Sequence, residues 1–116
     1  MKFHPAHSAA LSVVFAVATA AYSNGALAAN DDAAKALMKK DECTKCHAAD
    51  KDKIGPSYKS VAAKYKGKAD AEEKVTKSIT TEIKYKAADG TQATHKNVST
   101  KDAKEIKNVV QWILAQ

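Results

Sequence analysis

Two cysteines and a histidine fall within five residues, Cys43-Thr44-Lys45-Cys46-His47, and the 116-residue chain contains no other cysteine. That arrangement restricts how such a chain can be stabilised, because at most one short disulfide is possible. The first thirty residues differ from the rest. Lys2 is the only charge before Asp31, and the run AALSVVFAVATAAY leads to Ala26-Leu27-Ala28, the pattern of a secretory signal and its cleavage site. An uncleaved anchor helix is the alternative, since residues 8–30 carry no charge and are long enough to span a bilayer. Ser12, Thr19, Ser23, Asn24 and Gly25 dilute the run, which favours cleavage and argues against stable membrane insertion. Cutting after Ala28 leaves a mature chain of 88 residues, 29–116, room for one domain with a thin core. A chain of that size usually needs a metal, a cofactor or disulfides, and with so few cysteines a cofactor is the expected source of stability.

The charge pattern narrows the partners. All 19 basic residues are lysines, and losing Lys2 with the signal leaves 18 lysines against 13 acidic residues, a mature charge of +5. Nucleic-acid readers use arginine for bidentate contacts, so a lysine-only surface spread along the chain argues against nucleic acid. It suits long-range steering toward an acidic partner protein. Most individual lysines need do no more than solvate helix faces.

Periodicity in the mature chain is helical. Asn30 is placed to cap a helix running through DDAAKALMKKDECTKC, with Ala33, Ala36 and Leu37 inward and Asp31 and Asp32 at the positive end of the helix dipole. Gly55-Pro56 breaks the chain before a short helix with Tyr58, Val61, Ala62 and Tyr65 on one face. A third helix carries a capping box, Asp70 with Glu73, and the apolar row Val75, Ile79, Ile83. A last helix, capped by Ser99 with Asp102, has Ile106, Val109, Val110, Ile113 and Leu114 at helical spacing. Residues 86–98 lack any period and read as a loop. No segment alternates as a strand, so the expected class is all-α.

On a helical turn, positions i, i+3 and i+4 share a face, so Cys43, Cys46 and His47 can meet one flat group beside the helix end. Haem suits that geometry: the thiols add to its vinyl groups and the imidazole coordinates iron, the reading of Cys-x-x-Cys-His as a c-type attachment site. Three alternatives compete. A redox dithiol needs a βαβ setting that is not visible, and a zinc site of Cys43, Cys46, His47 and His95 would make an awkward tetrahedron from adjacent ligands. The plainest alternative is two buried cysteines beside a chance histidine.

The stretch CTKCHAADKDKIGPSYKSVAAKYKGKADAEEK resembles the small bacterial class I cytochromes c, soluble periplasmic electron carriers. In that family the attachment motif is followed by Gly-Pro-x-Tyr-Lys-x-Val-Ala-x-Lys-Tyr, matched here by Gly55, Pro56, Tyr58, Lys59, Val61, Ala62, Lys64 and Tyr65. The resemblance resumes in VSTKDAKEIKNVVQWILAQ, with Trp112 and Leu114 in the closing helix. It implies an all-α class I cytochrome c fold, four or so helices around one covalently bound haem c per chain. It implies thioether links at Cys43 and Cys46, His47 as proximal ligand and the Pro56 carbonyl as acceptor for the other ring nitrogen of His47. It also implies Tyr58, Val61, Ile79 and Trp112 as pocket walls.

The family places its second iron ligand, a methionine, in a Met-Pro-Pro-like stretch before the last helix. No methionine stands there: Met1 leaves with the signal, and Met38 lies five residues before Cys43, on the proximal side. The family's glycine- and tryptophan-containing run before that methionine is missing too. His95, four residues before Ser99, is the first candidate for sixth ligand; a water-filled site, Asn97 and Lys96 are the alternatives. A His95-ligated chain is expected to be a periplasmic, monomeric one-electron carrier between redox proteins, with no catalytic residues and no enzymatic role. An open or displaceable distal site would instead suit a binder or sensor of oxygen, nitric oxide or carbon monoxide, or weak peroxidase-like activity.

Overall fold

The computed structural model describes residues 29–116, and the expected signal segment, 1–28, lies outside the described residues. Helix α1 spans Asp31–Lys40, with the Asn30 side chain accepting from the Ala33 amide at 3.1 Å and Lys39 and Lys40 in its last turn. Its inward face differs from expectation: Ala34 and Met38, one turn apart, are buried, whereas Ala33 and Ala36 are exposed and Leu37 is half-buried. Nor does the helix continue through Cys46. Glu42 adopts a left-handed backbone (φ 62°), and a separate single turn, α2 (Cys43–Cys46), follows it.

Helix α3 (Tyr58–Tyr65) starts where the Ser57 hydroxyl accepts from the Ser60 amide, and it buries Tyr58 and Ala62. Helix α4 (Ala71–Thr80) buries Val75. The expected capping box is absent there, because the Asp70 carboxylate pairs instead with Lys74 one turn on, at 2.8 Å. Helix α5 (Ala103–Leu114) is capped by Asp102, whose carboxylate accepts from the amides of Lys104 and Glu105. Ser99, the expected cap, is held elsewhere, its own amide donating to Asp41 at 2.8 Å.

The segment expected to be a loop is partly ordered as a hairpin. Strand β1 (Lys84–Lys86) pairs antiparallel with β2 (Gln92–Thr94), with Tyr85 opposite Ala93. The turn closes through Ala87 N–H to the Thr91 carbonyl at 2.8 Å and uses Gly90 at φ 86°. Three-residue strands are too short for alternation to stand out from a polar sequence, so periodicity gives no sign of them.

Helix α5 is the centre of the assembly, packing on α1, α3 and α4. Ala34, Met38, Tyr58, Val75, Val109, Val110, Trp112 and Ile113 form one buried cluster. Trp112 Nε1 donates to an Asp31 carboxylate oxygen, and Asn108 exchanges two hydrogen bonds with the Asn30 backbone, so the two ends of the described chain are joined. No helix among the described residues is long and apolar enough to cross a membrane.

Candidate functional site

The short α2 turn and the segment after it present the attachment motif. Cys43 and Cys46 are half-buried free thiols at the two ends of the turn. His47 leaves the helix in an extended conformation while its amide still closes the turn on the Cys43 carbonyl at 3.0 Å. The His47 ring is then fixed from three sides. Its Nδ1–H donates to the Pro56 carbonyl at 2.6 Å. Tyr58 stacks on it with ring centroids 5.7 Å apart and planes 26° apart, and Trp112 meets Tyr58 edge-on at 5.2 Å. Gly55 lies so close beneath the ring that an added Cβ would stand 2.8 Å from Nδ1 and 3.0 Å from Nε2.

His95 comes to the same place from a distant part of the sequence. The hairpin delivers it, its amide donating to the Ile83 carbonyl at 2.7 Å, and the next turn is held by Val98 N–H on the Ile79 carbonyl at 2.9 Å. The two imidazole rings lie 6.0 Å apart, inclined at 60°. Burial pushes the His95 pKa down, proximity to His47 adds to this, and the Ser78 backbone opposes it. A lowered pKa favours the neutral ring, the form that binds metal. Burial likewise raises the Cys43 thiol, and it pushes the Tyr58 hydroxyl up to about 12, with Cys43 and Cys46 adding to the effect.

Of the other candidate ligands, the Lys96 ammonium turns away to Glu42 at 2.7 Å. Asn97 keeps a buried side-chain oxygen with no partner. Met38 sits in the core cluster. Val61 and Ile79 are half-buried against that cluster, and Trp112 is buried in it.

The residues present fit a flat, metal-bearing group. Tyr58 Oη, His95 Nδ1 and Asn97 Oδ1 are all buried without a hydrogen-bond partner, an expensive state that a bound group would relieve. A 6.0 Å ring separation also matches what two imidazoles need to share one metal, given bonds of about 2 Å on each side plus the reach of each ring. Two open surface depressions, one on α3 beside Leu114 and one between α4 and α5, contain no histidine or cysteine.

The sequence matches the Cytochrome c family over residues 32–116, most of the chain. The protein belongs to the cytochrome c family. Cytochromes c carry covalently bound haem c, and Cys43 and Cys46 are the thiol pair such attachment uses. Among solved structures this cytochrome c is similar to the class 1 cytochrome MtoD from Sideroxydans lithotrophicus ES-1, with 50% identity and a TM-score of 0.72 over 76% of this chain and 97% of that one. It is also similar to cytochrome c552 of Nitrosomonas europaea, at 29% identity and a TM-score of 0.55 over 69% of this chain and 95% of that one. A third similarity is to cytochrome c-551 of Pseudomonas aeruginosa, 46% identical over 43 residues, or 37% of this chain. That match spans only 41% of the relative's length. The fold is that of a class I cytochrome c, largely helical with one small hairpin added.

Sequence reasoning misses three contributors to the site. The reason for Gly55 is the His47 ring, and no local pattern reveals that. Asp41 and Glu42, just before the motif, bind the loop that follows His95; left-handed Glu42 carries no sequence signal, since glycine or asparagine would be the ordinary occupant.

Proposed function

We propose that this cytochrome c is a periplasmic, monomeric one-electron carrier, with His47 and His95 as the two axial ligands of a single haem. The observation that carries the reading is the pair of imidazoles held 6.0 Å apart, brought together from segments 48 positions apart in the sequence. Bound haem supplies one-electron chemistry at its iron. Cys43 and Cys46 tether it through thioether bonds. The Pro56 carbonyl fixes the His47 ring and raises its basicity, and Gly55 leaves room for that ring. Tyr58, Val61, Ile79 and Trp112 line the group and keep water from it. Two imidazoles favour ferric iron relative to a His/Met pair, so the potential would lie below that of a His/Met-ligated haem.

A carrier needs no acid, base or nucleophile, and this reading assigns no enzymatic role. The mature charge of +5 supports docking to acidic redox proteins, in small interfaces that weaken as salt rises.

The test is the spin state of the purified holoprotein, by low-temperature electron paramagnetic resonance in the ferric form and optical spectroscopy in the ferrous form. Low spin in both states, changing to high spin in His95→Ala, is the expected result. High spin in the unaltered protein would put an open distal site in its place, together with the binding of a diatomic gas.

A further inference from the structure

Two acidic residues outside the attachment motif bind the far side of the site. Glu42 is the one non-glycine residue among those described with a left-handed backbone, φ 62° and ψ 19°. Residues other than glycine, asparagine and aspartate rarely adopt that conformation unless their surroundings hold them there. Here the carboxylate is divided between Lys45, on the attachment turn, and Lys96, the residue after His95, at 2.7 Å. Its neighbour Asp41 is buried, and its carboxylate accepts from the Ser99 amide at 2.8 Å. Among the described residues, the loop 95–99 is thus held on one side by backbone bonds to Ile79 and Ile83, and on the other by these two side chains.

We infer that Asp41 and Glu42 are positioning residues for the sixth ligand, a latch that ties the His95 loop to the Cys43–His47 turn and sets the spacing between the two imidazoles. The inference rests on His95 being that ligand. The α2 turn and the hairpin belong to separate parts of the fold, and β1 and β2 bond only to each other as a sheet. Without the latch the loop keeps only its backbone bonds to Ile79 and Ile83, and His95 can shift relative to His47 while both elements stay intact. With it, the residues immediately before Cys43 fix where the opposite ligand stands.

The experiment measures carbon monoxide binding to the ferrous holoprotein, whose rate is limited by departure of the sixth ligand, alongside the thermal midpoint. Glu42→Gly removes the carboxylate yet supplies the residue best suited to φ 62°. The midpoint should therefore hold or rise while carbon monoxide binds roughly 2- to 5-fold faster, the effect of losing the exposed pair with Lys96. Lys96→Gln should give the same acceleration, and the double variant no more. Asp41→Ala should accelerate binding as well, and Asp41→Asn, which keeps an oxygen for the Ser99 amide, should restore the original rate. If His95→Ala binds carbon monoxide fast but the Glu42, Lys96 and Asp41 variants all keep the unaltered rate, the latch is wrong and the ligand assignment stands. If His95→Ala stays low spin and slow, the ligand assignment falls and the latch falls with it.

Discussion

A methyl group at position 55 would stand 2.8 Å from Nδ1 of His47, well inside van der Waals distance, with the ring already fixed by the Pro56 carbonyl and the face of Tyr58. Gly55→Ala must therefore shift either the backbone or the ring. We expect it to lower holoprotein stability by about 1–3 kcal/mol, the usual cost of overpacking, measured as a reduced guanidinium midpoint. Val61→Ala, on the neighbouring helix and only half-buried, should cost less. In the sequence, Gly55-Pro56 is legible as a chain break. Its second role is not, because the ring that requires the glycine arrives from eight residues earlier through a turn whose exit angle no local pattern encodes. Asp41 and Glu42 are harder still: their partners Ser99 and Lys96 lie 58 and 54 positions away, and in sequence they look like two more charges at a helix end.

The elements divide by how much of their length repeats. Helices α3 and α5 show their apolar faces over two or more turns, so Tyr58, Ala62, Val109, Val110 and Ile113 are readable as core from their spacing alone. The hairpin is not, for its strands have three residues each and expose Lys84, Lys86, Gln92 and Thr94. Its one local signal is Asp89-Gly90: Asp89 accepts from the Thr91 amide and Gly90 takes φ 86°. Gly90→Ala should cost about 1–2 kcal/mol, the penalty for an L-residue in that region. Hydrogen exchange should quicken at the Ala87 amide, which closes the turn, and at the His95 amide, which ends the hairpin, while α5 amides keep their protection. Helix starts mislead for a related reason. Ser99 and Asp70 both have capping chemistry, but Asp41 and Lys74 reach them first.

Across the described residues, four aspartates titrate below the ordinary value of 3.8: Asp31 mainly through Lys35, Asp52 through the Ser57 amide, Asp70 through Lys74 and Asp89 through Thr91. Their pKa values are depressed by folding, so the stability they add is complete above the unfolded value and disappears as pH falls through the folded ones. The thermal midpoint should thus stay level down to about pH 5 and drop below pH 4, where a proton-uptake measurement on unfolding would read positive. Asp31 matters most to the architecture, because it also accepts from Trp112, 81 positions along the chain. That clasp has a consequence for the order of assembly. A polypeptide is made from its N-terminus, so the segment from Cys43 to His47 emerges while the helix that completes the core does not yet exist. Those thiols and that imidazole pass through a period of full access to solvent and to other proteins before α5 emerges to pack on α1 and α3.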